Sequence, residues 1–304
     1  MQQAGGKRMA SAMLVSMEII TRKPYPSDLT DPEWDIIKDL LPPPKNVGRP
    51  VSVNLREVLN GILYFLVSGI QWKMLPHEFP PSGTVAYYFW IWRNSGLWED
   101  IYRVLRERER VAEGREPEPT AGCIDSQSAK TTAVGGEERG FDGGKKVKGR
   151  KRHVLVDTLG LVLVLAVTAA NVSDQAGARR VFGRLQESGV KLVKVWAEGT
   201  YAGADWQQEV KAKYGIELEI TKPPEGTKGF SVVAKRWVSE RTFSWGSGCR
   251  RLAKDYEATV ASSEAMFWLS QVRVLLRRQG GWSEERRERV ANATCFTKNP
   301  AIAV

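Results

Sequence analysis

The sequence predicts an α/β protein: a mixed β-sheet with flanking helices, preceded by a small all-helical N-terminal domain. Three observations lead to this fold class. Helical spacing of apolar residues dominates from residue 25 to about 113, a Pro- and charge-rich stretch follows at 113–120, and short apolar runs then alternate with helical segments. With 304 residues, 42% of them hydrophobic, and 11 tryptophans, the chain can bury a substantial core.

The N-terminal half carries capping signals that are typical of helices. Thr30 and Glu33 predict a capping box at the start of the first helix. Asn54 can cap the second helix, which is apolar on most faces and is therefore expected to be buried. An aromatic helix starting at Ser82 or Thr84 and an amphipathic helix complete this region. The second helix could also belong to a helix-turn-helix unit, because helical spacing does not distinguish DNA recognition from packing.

The C-terminal half predicts the element order βββαβαβα. Strands are expected at 121–125, 150–157, 161–170, 192–197 and 216–220. Ser173 is the expected cap of the first intervening helix, Asp157 is interpreted as a turn residue, and His153 as a packing or hydrogen-bonding residue. The resulting division is an extension (1–24), a helical domain (25–116), a mixed α/β domain (121–278) and a polar tail (279–304).

Charge and cysteine content narrow the possible partners and compartments. A net charge of +10 favours association with a polyanion, most often a nucleic acid. The three cysteines lie far apart, which disfavours disulfides and a zinc site and suits a reducing cytoplasm. The longest apolar run, at 159–170, is much shorter than the roughly 20 residues that span a membrane. We therefore expect a cytoplasmic protein that does not enter the membrane.

Three acids stand at informative places in the predicted fold. Asp125 lies at the end of the first strand, Glu198 ends the fourth strand, and Glu240 lies on the last helix. If the first and fourth strands are neighbours, all three carboxylates can converge. Converging carboxylates repel one another unless a cation holds them, and hard divalent ions prefer oxygen ligands. Each acid alone is more simply interpreted as a turn former or surface charge; together, in a basic protein, they predict a metal site for phosphodiester chemistry.

The chain resembles the DDE transposases of bacterial insertion sequences, particularly the insertion sequence five family. The resemblance lies in the segments CIDSQSAKT (123–131), GGKKVKGRKRHVLVDTLG (143–160), TAANVSDQAGA (168–178), WAEGTYAG (196–203), RWVSERTFSW (236–245) and CRRLAKDYE (249–257). It implies DNA-end binding by the helical domain (25–116) and a ribonuclease-H-like catalytic fold for residues 121–278, which uses Mg²⁺ or Mn²⁺ to cut and rejoin DNA ends. The implied catalytic metal ligands are Asp125, Glu198 and Glu240, and phosphate contacts are implied for Arg236 and Arg241.

The resemblance also implies the partners: double-stranded DNA with terminal inverted repeats, target DNA, and a second copy in a homodimer assembled on DNA near the nucleoid. A basic run just before the second strand is a further candidate for sequence-independent phosphate contact, with a solvated charged face as the alternative. Its residues are Lys145, Lys146, Lys148, Arg150, Lys151 and Arg152.

Two departures from the family pattern keep a second function open. Glu198 stands where the family has Asp, which adds one methylene to a ligand of an ion with strict geometry. The GSG sequence at 246–248 is expected to weaken the helix beyond Glu240, because each mid-helix glycine costs about 1 kcal/mol. A catalytically impaired DNA-binding copy or repressor is therefore the alternative to an active transposase. A structure-specific nuclease of the same fold is a third possibility, which no residue favours.

Overall fold

The computed structural model describes residues 22–42, 53–134, 136–221 and 236–293, without the side chain of Arg236. The predicted N-terminal extension therefore lies almost entirely outside the described residues. Within these ranges the chain forms a helical region, a β-sheet with helices on both faces, and two C-terminal helices. No helix in the described ranges is long and apolar enough to cross a membrane.

The N-terminal region contains the helices α1 (Asp31–Ile37), α2 (Leu55–Ser68), α3 (Ser82–Asn94) and α4 (Leu97–Ala112). The predicted capping box is present, because Thr30 and Glu33 each accept the backbone N–H of the other. Asn54 caps α2 by accepting the N–H of Glu57 at 3.1 Å. As its apolar faces predicted, α2 is buried along most of its length. Both of these predicted caps are confirmed, and so is Ser173, which accepts the N–H of Ala176 at the start of the helix Asp174–Ser188.

Six strands of the described ranges form one sheet: β1 (Ala121–Lys130), β2 (Gly140–Asp142), β3 (Val147–Asp157), β4 (Val162–Ala169), β5 (Lys194–Ala197) and β6 (Glu217–Ile220). The order is β2–β3–β1–β5–β6, and β4 also pairs with β3. β3 runs antiparallel to β1, β2 and β4, whereas β5 is parallel to β1 and β6. The remaining helices are α5 (Asp174–Ser188), α6 (Ala204–Tyr214), α7 (Arg236–Gly246), α8 (Val260–Gly280) and α9 (Glu284–Ala291). This mixed sheet confirms the predicted ribonuclease-H-like fold class.

The structure departs from the sequence prediction in three elements. β1 continues to Lys130, although the apolar run that predicted it ends at Asp125, because its polar half is hydrogen-bonded along β3. The short strand β2, which pairs with the start of β3, was not predicted. The predicted polar tail contains α9, where Arg286 forms an ion pair with Glu113 at 2.8 Å. Long-range contacts thus give regular structure to segments whose own pattern of apolar residues does not predict it.

One hydrophobic core joins the N-terminal helices to the sheet. Apolar side chains of α2, α3 and α4 pack together with α8 and with one face of the sheet, represented by Cys123 and Val154. The opposite face packs against α5 and α6. A polar contact reinforces the junction, since Tyr102 Oη of α4 accepts the N–H of Val162 at 2.8 Å. The helical region and the sheet are therefore packed as a single unit.

Asp157, which ends β3, is the turn residue that the sequence predicted. Its Oδ1 accepts the N–H groups of Leu159 and Leu161 at 2.9 and 2.8 Å. Its Oδ2 pairs with Arg110 of α4, and both side chains are buried. Losing either partner would leave an uncompensated buried charge, which is strongly destabilising. The turn therefore also anchors α4 to the sheet.

His153 lies in the middle of β3 and is fully buried. Its Nε2 is 3.0 Å from Thr168 Oγ1 on β4. The ring packs so closely on Gly177 of α5 that a Cβ there would lie 2.1 Å from the imidazole Cε1. Burial lowers the pKa of His153 to about 4, and the charge of Lys151 acts in the same direction. The interpretation of His153 as a packed, hydrogen-bonded residue is confirmed.

We predict that His153 makes the fold acid-sensitive. The ordinary pKa of 6.5 falls to about 4 on folding, so the neutral ring stabilises the folded state above pH 6.5, and this stabilisation is lost as the pH falls towards 4. Between pH 7 and 4.5 the wild type should lose roughly 2–3 kcal/mol more unfolding free energy than His153→Gln. Urea unfolding of both proteins at the two pH values measures this difference, and equal losses would contradict it.

Candidate active site

The pairing of β1 with β5 brings the first two predicted acids together. The last pair of this parallel ladder is Ile124 opposite Ala197, so Asp125 and Glu198 stand one residue beyond it on adjacent strands. Residues in register on neighbouring strands face the same side of a sheet. That side is the one on which Val238 of α7 is packed. Asp125 and Glu198 therefore both face α7.

A narrow cleft lies between these strand ends and α7. Its lining includes Asp125, Glu198, Thr221 and Ser239. The enclosed space is about 10 Å³, which is close to the minimum that holds one water molecule. Ser239 is almost completely buried, so α7 closes one side of the cleft. The two carboxylates thus border a space suited to one water or small ion and too small for an organic ligand.

Glu240, the third predicted acid, follows Ser239 on α7. Successive residues of an α-helix are about 100° apart around its axis, and the Glu240 side chain is exposed whereas Ser239 faces the cleft. Among the described residues, no group of three Asp, Glu, His or Cys side chains is placed to hold a metal ion. The structure therefore brings Asp125 and Glu198 to one cleft, and Glu240 is not part of its lining.

The helix that carries Glu240 ends soon after it. α7 stops at Gly246, and the chain turns through hydrogen bonds from the N–H of Ser247 to Ser244 O and from the N–H of Cys249 to Gly246 O. This is where the GSG sequence predicted a weakened helix. Glu240 nevertheless lies in the middle of α7, with more than one helical turn on its C-terminal side.

Of the two arginines beside Glu240, Arg241 has internal partners. Its Nη2 donates to Leu159 O at 2.7 Å, and its guanidinium lies over the Trp237 ring at 4.3 Å. The side chain remains half-buried, and it caps the turn between β3 and β4. Arg236 begins α7, but its side chain lies outside the described part of the chain.

Three of the six cations predicted to contact phosphate are buried instead. Arg150 is fully buried and donates to Asp255 Oδ1 at 3.0 Å and to the carbonyl oxygens of Glu137, Glu257 and Ala258. Arg152 is also buried and lies within 3.4 Å of Leu252 O. Lys151, on the opposite face of β3, donates to Val172 O at 3.0 Å. Their interpretation as DNA contacts was wrong, because their charges are used within the fold.

Lys145, Lys146 and Lys148 remain as exposed cations of this run. They lie at the turn between β2 and β3 and at the start of β3. Lys146 has a φ of 52°, a left-handed turn conformation. Lys145 Nζ also donates to Ser126 O at 3.0 Å, next to Asp125. The exposed part of the basic run therefore reaches the neighbourhood of the cleft.

The sequence analysis missed a polar network behind the two carboxylates. Ser126 donates its backbone N–H to Asp125 Oδ1 at 2.6 Å and its hydroxyl to Asp174 Oδ1 at 2.7 Å. Lys151 Nζ is 3.3 Å from the same Asp174 oxygen. Tyr201, fully buried, follows Glu198 by three residues. In the sequence, this network is marked only by a serine directly after Asp125 and a tyrosine three residues after Glu198. Neither residue type indicates a role until the pairing of the strands is known.

Two family profiles match the chain. Residues 29–102 match the family described as putative transposase of IS4/5 family, and residues 116–275 match the transposase DDE domain. The second match alone covers more than half of the chain. This protein belongs to the DDE transposases. The predicted relationship to the insertion sequence five family is thereby confirmed at the level of the IS4/5 group.

A curated relative agrees with this assignment. The insertion element IS402 uncharacterized 16.2 kDa protein of Burkholderia cepacia is 31% identical over 114 residues, which make up 35% of this transposase and 76% of that protein. The DDE-domain match runs from before β1 to within α8. It therefore contains Asp125, Glu198 and Glu240, as well as the buried cations of β3.

DDE transposases use divalent metal ions, and the cleft of this transposase fits that chemistry in part. Asp125 and Glu198 offer carboxylate oxygens, the ligand type that Mg²⁺ and Mn²⁺ prefer. The small space between them and Ser239 suits an ion and excludes larger groups. A third carboxylate ligand would have to come from outside this lining, where Glu240 is the next residue along α7.

We predict that Arg150 and Lys148 have opposite roles although they stand two residues apart. Arg150→Ala should lower the free energy of unfolding by about 3–5 kcal/mol, because it leaves Asp255 buried without its partner. Lys148→Ala, at an exposed position, should change it by less than about 0.5 kcal/mol. Urea denaturation of the two variants measures both values, and similar stabilities would contradict the buried role of Arg150.

Proposed function

We propose that this chain is a transposase that cuts DNA at the ends of an insertion sequence and joins the cut ends to target DNA. The observation that carries the proposal is the placement of Asp125 and Glu198 side by side at the cleft of a DDE-family chain. Two adjacent carboxylates in a protein of net charge +10 suit an active site for a polyanionic substrate. Its partners would be double-stranded DNA with terminal inverted repeats, target DNA and a second copy of the chain, in the bacterial cytoplasm.

Asp125 and Glu198 would hold Mg²⁺ or Mn²⁺, and Glu240 is the proposed third acid. A divalent ion supplies Lewis-acid stabilisation of the phosphodiester and activates the attacking oxygen. In the cutting step, the oxygen of water forms a bond to phosphorus and the 3′ oxygen leaves as a hydroxyl. In the joining step, that 3′ oxygen attacks a target phosphodiester and a target 3′-hydroxyl is released. The protein positions the ends and balances charge, the main contributions in phosphoryl transfer.

DNA is proposed to approach along the exposed cations beside the cleft. Lys145, Lys146 and Lys148 project from the β2–β3 region without a carboxylate partner among the described ion pairs. Contacts of this type bind the backbone of any sequence. Arg236 and Arg241 of α7 are also proposed to contact phosphate, and Arg241 would do so through the exposed part of its side chain.

A second function is favoured by two specific observations. Glu198 replaces the family Asp, and α7 ends at Gly246 shortly after Glu240. A chain with a misplaced ion and a third acid outside the cleft lining would still bind DNA through its cations. A DNA-binding copy or repressor without catalysis is therefore the alternative function.

Substitutions at Glu198 test catalysis directly. Its longer side chain should position an ion poorly, so Glu198→Asp is expected to raise Mg²⁺-dependent cleavage of a cognate DNA end, and Mn²⁺ should support the parent better than Mg²⁺. Glu198→Ala should lower cleavage by more than about 100-fold, a loss typical of removing an electrostatic stabiliser of the transition state. Single-turnover nicking assays with each metal measure these effects.

The matched control is Asp125→Ala, which should abolish cleavage while binding to the same DNA persists. If Glu198→Ala cleaves DNA as fast as the parent, Glu198 is not part of the active site. Unchanged DNA binding together with no cleavage by any variant, including Glu198→Asp, would establish the binding-only alternative.

Substitution of the exposed lysines tests the proposed DNA path. Lys146→Ala combined with Lys148→Ala should weaken binding to all sequences and reduce the slope of log K against log salt by about 2, since two phosphate contacts are lost. The control is Lys211→Ala combined with Lys213→Ala on α6, at the opposite edge of the sheet. Electrophoretic mobility shifts at several salt concentrations measure the slopes. An equal slope for the parent and the first variant would mean that these lysines are only a solvated face.

A further inference from the structure

Ser126 connects the candidate active site to the opposite face of the sheet. Its backbone N–H donates to Asp125 Oδ1 at 2.6 Å, which restrains the orientation of that carboxylate. Its side chain points away from Asp125, because neighbouring residues of a strand face opposite sides. There its hydroxyl donates to Asp174 Oδ1 at 2.7 Å, and the side chain is buried. One residue therefore holds both the first acid and a carboxylate of α5.

Asp174 is held in place by a buried lysine. Lys151 Nζ lies 3.3 Å from Asp174 Oδ1 and 3.5 Å from Asp142 Oδ2, and it donates to Val172 O at 3.0 Å. Burial alone would raise the pKa of Asp174, but the Ser126 hydroxyl and Lys151 outweigh it and lower that pKa. Asp174 therefore stays charged and bonded, and it ties α5 to both β1 and β3.

Tyr201 supports the second acid from the same face of the sheet. Its N–H donates to Glu198 O at 3.0 Å, which closes the turn after β5, and its ring is packed in the core beneath β5. Burial, followed by the negative charges of Asp174, Asp125 and Glu198, raises the pKa of Tyr201 well above its usual value. The phenol therefore stays protonated in the core behind the cleft.

These contacts form a layer behind the cleft, and the layer touches no part of the space between Asp125 and Glu198. We propose that Ser126, Asp174 and Lys151 are positioning residues that fix the orientation of Asp125 for metal binding. This inference rests on the proposed function, because it assumes that the two acids hold a divalent ion. Groups that orient metal ligands through hydrogen bonds typically change metal affinity by about 10–100-fold when removed.

The test measures Mn²⁺ binding to the full chain by electron paramagnetic resonance, together with nicking kinetics and thermal unfolding. Ser126→Ala should weaken Mn²⁺ binding by about tenfold and lower kcat with little change in KM for DNA. Ser126→Thr keeps a hydroxyl and should restore most of the affinity. The matched control is Ser270→Ala, which removes another buried serine hydroxyl, whose bond to Phe267 O at 2.7 Å lies within α8 and outside this layer. It should leave Mn²⁺ affinity unchanged.

Asp174→Asn provides a second, independent variant. It keeps the shape of the side chain but removes the charge that pairs with Lys151, and it should also weaken Mn²⁺ binding. If Ser126→Ala fails to fold, the comparison of Asp174→Asn with Ser270→Ala decides the question. Parent-level Mn²⁺ affinity in Asp174→Asn and in any folded Ser126→Ala protein would overturn the inference.

Asp125→Ala separates this inference from the proposed function. If Asp125→Ala loses Mn²⁺ binding while Ser126→Ala binds Mn²⁺ normally, the proposed active site is supported and the positioning role of Ser126 is refuted. Normal Mn²⁺ binding in Asp125→Ala would instead show that the ion is held elsewhere, and the proposed function and this inference would both fail.

Discussion

The parallel pairing of β1 with β5 is the constraint on which the rest of the site depends. The two strands are separated by about 70 residues of chain, and their ladder has only four pairs, from Ala121–Lys194 to Ile124–Ala197. The register of this ladder places Asp125 and Glu198 on the same face of the sheet. A slip of one residue would send one of the two acids to the opposite face of the sheet. The α5 helix, the core beneath β5 and the turn at Tyr201 all serve to hold this short ladder in place.

Buried charged side chains hold separate elements of this molecule together. The Arg110–Asp157 pair fixes α4 to the sheet, Arg150 binds the segment around Asp255, and Lys151 binds the start of α5. Each cation joins separate elements of the fold, and each bonds a backbone carbonyl oxygen as well as a carboxylate. A part of the strongly basic composition therefore belongs to the architecture and does not contact a polyanion.

Much of the fold was predictable from the sequence, because the apolar runs and caps are strong local signals. The order of the predicted strands and helices and the caps at Thr30 and Asn54 followed from them. The adjacency of Asp125 and Glu198 depended on the pairing of β1 with β5, which the sequence analysis only assumed. The roles of Arg150 and Arg152 did not, because a count of charges does not show which way a side chain faces. Their partners, Asp255 and Leu252, lie about 100 residues further along the chain. The polar half of β1 was missed for the same reason, since only its long-range pairing reveals it.

The buried hydrogen bonds of Arg150 have a consequence for the synthesis of the protein. The acceptors of its guanidinium include Asp255 and the carbonyl groups of Glu257 and Ala258, which leave the ribosome long after the central strands. Until they emerge, the middle of the sheet holds a cation without its counterion, and such a sheet is strongly disfavoured. A nascent chain truncated before this segment, by a stop codon or a frameshift, is therefore expected to form a destabilised sheet. Incomplete products of the gene should be removed by proteolysis and should not persist as fragments that compete for DNA.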